Sequence, residues 1–174
     1  MPAALASEPP LAGRMEQFNL NTPPLPVPET RFRDASGKAV SLADFRGRVL
    51  LVNFWATWCA PCVQEMPSLD RLQADMGGKD FAVLAINEDR TGADVATPFL
   101  DKHGWKNLSV NVDDKMALAR ALGVRGMPSS FIIDRDGRIV GMLTGAAEWD
   151  SADAKALIRH YLKAGKKLDQ ASRW

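Results

Sequence analysis

The segment Val49-Leu50-Leu51-Val52-Asn53-Phe54-Trp55-Ala56-Thr57-Trp58-Cys59-Ala60-Pro61-Cys62 decides how the rest of the chain reads. It follows a turn at Phe45-Arg46-Gly47-Arg48. Residues 49–55 form a nearly continuous apolar run rich in β-formers, which predicts a buried central strand. From Cys59 to about Met76, Val63, Met66, Leu69 and Leu72 fall on one face at helical spacing. Thr57 is expected to help cap that helix. Pro61 suits its first turn, because proline has no N–H to leave unpaired there and its φ is already helical. Residues three apart on a helix are neighbours, so Cys62 lies one turn below Cys59 and within disulfide reach.

These are the chain's only two cysteines. Cys59 stands at the helix N-terminus, where unpaired N–H groups and the macrodipole favour a thiolate. Cys62 sits deeper. The geometry therefore makes Cys59 the attacking nucleophile and Cys62 the thiol that resolves a mixed disulfide. Three other uses of the pair fit less well. A structural staple across so short a loop removes little unfolded-state entropy. A structural zinc site wants four ligands, and His103 and His160 are far off in sequence, without paired spacing. A peroxidatic cysteine acting alone would leave Cys62 idle.

Composition narrows the class further. A chain of 174 residues with a net charge of +1 suits one globular domain with a proper core. Acids and bases are interspersed, so nothing points to nucleic acid or a membrane surface. No apolar run is long enough to span a bilayer. Met1-Pro2-Ala3-Ala4-Leu5 does not read as a secretory leader, so the expectation is a cytosolic protein or one that has lost its leader.

Seven of the eleven prolines lie before Glu29, which predicts that residues 1–29 are an extended tail or linker. Folding is expected to begin near Thr30, with a hairpin across Asp34-Ala35-Ser36-Gly37. After the 49–76 strand and helix come a strand at 81–87, a helix at 92–102 with Val95, Phe99 and Leu100 apolar, a strand at 108–112 and a short helix at 115–122. Apolar runs on either side of Asp134-Arg135-Asp136-Gly137 make an antiparallel hairpin. A helix at 151–162 closes a domain of residues 30–165, and residues 166–174 are expected to be a C-terminal tail. Strands alternating with helices, then a final hairpin, predict a mixed three-layer α/β/α sandwich with an N-terminal hairpin and an inserted strand-helix.

The run Phe54-Trp55-Ala56-Thr57-Trp58-Cys59-Ala60-Pro61-Cys62 resembles the active-site segment of the thioredoxin superfamily. Within it the chain is most similar to the TlpA/ResA/CcmG-like oxidoreductases of bacterial envelopes, and closest to the TlpA-like ones. The narrower likeness rests on the 81–102 insert, on Glu65-Met66-Pro67, and on Gly126-Met127-Pro128-Ser129-Ser130 with Gly145-Ala146-Ala147-Glu148-Trp149. It covers about residues 30–163.

The resemblance implies a cis bond at Met127-Pro128, facing the cysteines, with Met127 backbone groups open to pair with a partner peptide. The alternative is a simple rigid turn. It also implies that Glu65, one turn beyond Cys62, tunes the thiols or relays their protons; an exposed helix glutamate is the alternative. Asn53 replaces the buried aspartate of thioredoxin, which favours Glu65 as the base; Asn53 could instead satisfy buried backbone groups. Trp58 reads as an apolar platform beside the cysteines or as core packing. Arg125 reads as a solvated loop residue, with support of the Cys59 thiolate as the alternative, and Trp105 and Trp149 read as packing.

The activity expected is thiol–disulfide exchange, mainly reductive, on envelope client proteins of respiratory oxidase or cytochrome assembly, with no cofactor and no metal. Oxidant or isomerase action remains open, because direction depends on redox potential and partner. A Cu(I) carrier is the alternative from another class, since two thiolates suit that ion; the cysteine spacing and the lack of a histidine near the Met127-Pro128 loop speak against it. The peroxiredoxin pattern fails at Val52 and Ala56, where proline and threonine would stand. Expected partners are protein disulfides and an upstream membrane reductant. The location implied is periplasmic or extracytoplasmic, with an anchor or leader outside this chain, and the expected state is a monomer.

Overall fold

The computed structural model describes residues 7–171, with side chains to residue 165. Its strands are β1 (Asn19–Pro26), β2 (Phe32–Arg33), β3 (Ala39–Val40), β4 (Val49–Trp55), β5 (Phe81–Asn87), β6 (Asn111–Val112), β7 (Ser129–Ile133) and β8 (Arg138–Thr144). The helices are α1 (Ala60–Met76), α2 (Ala93–His103), α3 (Ala117–Ala121) and α4 (Ala152–Ala171). The strands form a single sheet in the order β1-β8-β7-β4-β5-β6-β2-β3. β4 runs parallel to β5 and antiparallel to β7, so the sheet is mixed.

Alternation along β4 divides the core in two. Val49, Leu51 and Trp55 face α1, α2 and α4, where they meet Met66, Leu69, Leu100, Leu157 and Ile158. Leu50, Val52 and Phe54 face the opposite side, against Leu118 of α3, Phe32 and Leu42. Every residue of β4 and β5 is buried. A strand covered on both faces has no polar side to write into its sequence, and it therefore reads as a nearly continuous apolar run. The three-layer α/β/α sandwich expected from the element order is the fold observed.

The N-terminal tail is not a tail in its described part. A 3-10 turn, Gly13–Gln17, leads into β1, which pairs antiparallel with β8. Met15 and Phe18 are buried in the larger core. The proline count misleads here because the ladder tolerates proline on an edge strand. The pairing shifts register between Leu20 and Leu25, the stretch holding Pro23 and Pro24, where no amide is available to donate. Residues 1–6 lie outside the described chain. At the other end α4 runs on to Ala171, so the expected tail from residue 166 begins as helix.

Two smaller expectations also give way. Cys59 itself is the N-cap of α1, while the Thr57 hydroxyl donates to Asp89 instead of capping. Val95, expected on the apolar face of α2, is exposed; Ala96 and Leu100 carry that face.

Candidate active site

The two cysteines sit where β4 hands over to α1. They are joined as a disulfide, with Cα atoms 5.2 Å apart. Cys59 is 7% exposed and Cys62 is fully buried, so Cys59 is the residue of the pair with access to solvent. Of the two amides that an N-cap side chain reaches, those of N2 and N3, the N2 residue is Pro61 and has no N–H. That leaves the Cys62 amide as the one of the two with an N–H, and in the disulfide form the Cys59 side chain makes no capping bond.

The approach to Cys59 is held from outside the motif. Asp89, just after β5, accepts the Thr57 amide at 2.9 Å and the Thr57 hydroxyl at 2.7 Å. Asn87 donates to the same carboxylate at 2.7 Å, and the Glu88 amide bonds to the Trp55 carbonyl at 2.9 Å. Trp58 is 68% exposed, which removes core packing as its role. Pro61 is exposed as well.

Met127-Pro128 is a cis bond. It immediately precedes β7, whose first residue, Ser129, pairs with Phe54 near the end of β4. The cis proline therefore lies at the same end of the sheet as the cysteines, and Met127, half-buried, packs against the core cluster that contains both of them. The Pro128 carbonyl accepts the Gly145 amide at 2.8 Å, which ties this loop to the turn after β8.

Glu65 is 1% exposed, so the exposed-glutamate alternative is excluded. Its carboxylate accepts hydrogen bonds from Asn53 Nδ2 at 2.6 Å, the Ala147 amide at 2.8 Å and Trp149 Nε1 at 3.0 Å. Burial pushes its pKa from the ordinary 4.5 up to about 7, against the opposing pull of these three donors and of Arg14. Ser68, one turn on, ties the same loop to α1: its hydroxyl donates to the Glu65 carbonyl at 2.8 Å and accepts the Trp149 amide at 3.0 Å. Asn53 does not serve backbone groups. Its amide nitrogen bonds Glu65 and Ser130, and its Oδ1 has no partner among the described residues.

The sequence reading missed several members of this arrangement. Trp149, assigned to packing, is a donor to Glu65. Asp89, which holds Thr57, and Arg14, beside Glu65, carry no motif that would single them out. Glu88 is buried opposite the Asp113 carboxyl; burial first, and that neighbour second, push its pKa up to about 10. Asp113 in turn accepts the Leu118 and Ala119 amides at 2.9 Å each, at the start of α3. The one sequence signal for the 87–89 corner was polar: Asn87-Glu88-Asp89 directly follows an apolar strand. His103 lies stacked on Trp105 and tilted against Phe99, with ring centroids 4.4 Å away in each case.

A buried cysteine pair at the head of a helix, after a strand that runs parallel to β5 and at the same end of the sheet as a cis proline, defines a thioredoxin-like redox fold. The Redoxin family model matches residues 24–158. The chain belongs to that family, as a TlpA/ResA/CcmG-like member of the thioredoxin superfamily. Among its relatives, the thiol-disulfide oxidoreductase ResA of Bacillus anthracis is 35% identical over 112 residues, which are 64% of each protein. The ResA protein of Bacillus thuringiensis subsp. konkukian is 32% identical over 130 residues, covering 75% of this chain and 70% of that one. The chain thus spans 64% of the length of the first of these curated relatives. Among solved structures, a protein of Chlorobium tepidum described as a thiol:disulfide interchange protein DsbE superposes with a TM-score of 0.68 at 33% identity, over 80% of this chain and 96% of that one. The exposed lipoprotein thioredoxin Etrx1 of Streptococcus pneumoniae gives 0.62 at 28% identity, over 79% and 99%.

Proposed function

We propose that the protein is a thiol–disulfide oxidoreductase that reduces disulfides of protein clients outside the cytoplasm. The observation that carries this reading is the Cys59–Cys62 disulfide at the head of α1, with Cys59 the one residue of the pair that has any exposure. The named activities of the ResA and DsbE relatives support it. The extracytoplasmic location is supported by the exposed lipoprotein among the structural neighbours. Respiratory oxidase or cytochrome assembly is the client setting consistent with those relatives.

The geometry supplies a sequence of steps. In the reduced protein, the Cys59 thiolate forms at the N-cap, stabilised by the Cys62 amide and the N-terminal dipole of α1. It attacks one sulfur of the client disulfide; a Cys59–client bond forms and the client's other sulfur leaves as a thiolate. The client peptide is held as an added strand along the Met127 backbone, with Trp58 and Pro61 beneath it. Glu65, ionised in part near neutral pH, accepts the proton of Cys62. The Cys62 thiolate attacks Cys59, the second client thiolate departs, and the Cys59–Cys62 disulfide of the structure results. Two electrons pass to the client. An upstream dithiol must return them, and the neutral Glu65 then gives its proton back to Cys62.

The test is capture. The Cys62→Ser variant loses resolution and keeps attack, so it should accumulate mixed disulfides with envelope proteins that Cys59→Ser does not. Equal capture by both variants, or by neither, would sink the exchange mechanism. The reduction potential against glutathione decides direction: a value more oxidising than the glutathione couple would make the protein an oxidant instead.

A further inference from the structure

A recess of about 390 Å³ opens between α1 and the turn ahead of α4; Arg14, Gln64, Glu65, Ala147, Glu148 and Asp153 lie along it. It is where the N-terminal segment meets the buried carboxylate. Arg14 Nε donates to the Ala146 carbonyl at 3.1 Å and Nη2 to the Thr144 carbonyl at 3.1 Å. Its Nη1 donates to Gln17 on its own 3-10 turn. The guanidinium therefore straddles the 144–146 turn, and the next amide in that turn, Ala147 N, is the one that donates to Glu65.

The fit is close on both sides. Gly145 has φ +92°, and a Cβ there would come within 2.9 Å of Arg14 Nη2. Gly13 has φ +57°, and a Cβ there would collide with Asp153 Oδ2 on α4. Met15 and Phe18, both buried, anchor the segment just beyond. A solvated arginine swings freely, but one fixed by two backbone carbonyls and a neighbouring side chain presents its charge in one place.

We propose that Arg14 is a positioning residue for the Glu65 carboxylate: clamped on the 144–146 turn, it holds a fixed positive charge across the recess and so favours the proton-accepting form of Glu65. The proposal rests on Glu65 being the base for Cys62. Among the residues lining the recess Arg14 is the one cation. The anions facing Glu65 are Glu148 from the loop and Asp153 from α4. Glu148 is 3.7 Å from Arg71, which also pairs with Asp150 at 2.6 Å. On α1 itself the neighbouring titratable group is Cys62. Burial favours the neutral acid at Glu65, and Arg14 is among the influences that oppose it. The segment before β1 would then help set the pH range in which the resolving thiol is deprotonated.

The experiment is a ¹³C titration of glutamate carboxyls in the full chain with its disulfide intact, so that no thiol titrates. The Glu65 signal is assigned by its loss in Glu65→Gln. Arg14→Gln should raise the Glu65 midpoint, by less than about one pH unit, because an opposite charge shifts a carboxylate by one to three units only at contact distance. Arg14→Lys keeps the charge and should stay close to the parent. An unmoved midpoint in Arg14→Gln overturns the proposal. So does a Lys variant that titrates like the Gln variant, since the effect would then belong to the seating of the segment and not to the charge.

Exchange kinetics separate this from the underlying reading. The pH–rate limb should move in Arg14→Gln and be absent in Glu65→Gln, with no further change when the two are combined. A limb that survives Glu65→Gln removes Glu65 as the base and this role of Arg14 with it. A limb that depends on Glu65 but ignores Arg14 removes only Arg14.

Discussion

Glu65→Gln turns the burial of this carboxylate into a measurable slope of stability against pH. In the folded protein Glu65 titrates at about 7, and an exposed glutamate in the unfolded chain at its ordinary 4.5. The native state therefore binds the proton more tightly than the unfolded state does. Stability from this group is fully present below pH 4.5 and is lost as pH rises through about 7. At about 1.4 kcal/mol per pH unit, the gap is worth about 3 kcal/mol. The glutamine of the variant would remain neutral and show none of this. Its amide oxygen would still accept on one side, but its NH₂ group would replace the other oxygen and face a donor there, either Asn53 Nδ2 or the Ala147 amide and Trp149 Nε1. That mismatch is costly but does not depend on pH. The informative quantity is thus the difference in unfolding free energy between variant and parent at about pH 4 and about pH 8. Denaturant unfolding of the disulfide form should show the variant gaining about 3 kcal/mol on the parent between those two values. Glu88 also makes stability fall as pH rises, but it is present in both proteins and cancels. A difference that stays constant to within about 0.5 kcal/mol would mean that Glu65 is ionised at its ordinary pKa in the fold, and the relay built on it would fail.

The other predictions probe the frame around the cysteines. Reduced protein treated with limiting iodoacetamide should be alkylated first at Cys59, the less buried of the two residues; first modification at Cys62, read by peptide mass, would reverse the two roles. Asp89→Ala should cost about 1–3 kcal/mol in denaturant unfolding and slow exchange, because it leaves the Thr57 amide, the Thr57 hydroxyl and the Asn87 amide group without their acceptor; unchanged exchange would show that the lead-in to Cys59 holds its own shape. Phe18→Ala should destabilise the fold by about 3–5 kcal/mol, since the ring is buried in the larger core. A loss below about 0.5 kcal/mol would mean that the segment before β2 is a loosely attached tail after all.

The redox centre was legible in one line of sequence, because its geometry is local. Two cysteines three apart at the head of an amphipathic helix are neighbours in any fold that keeps the helix. The buried strands β4 and β5 were equally plain, since burial on both faces leaves nearly continuous apolar runs, and the Asp-Gly turn placed β7 and β8 as a hairpin. Those periodicities were enough for the layer order of the sandwich. What the chain did not disclose is whatever depends on distant partners. A proline-rich stretch reads as a linker until β8 offers it an edge and the core takes in Met15 and Phe18. Glu65 is an ordinary helix residue by pattern. It becomes a group titrating near neutrality because the fold buries it between β4 and the loop ahead of α4, and the donors met there, Asn53, Ala147 and Trp149, offset that burial only in part. Spacing along a chain encodes contacts within one element, whereas desolvation and charge sum over everything that packs nearby. For that reason the cysteines could be identified from sequence, but the ionisation of the carboxylate beside them was decided by the tertiary structure.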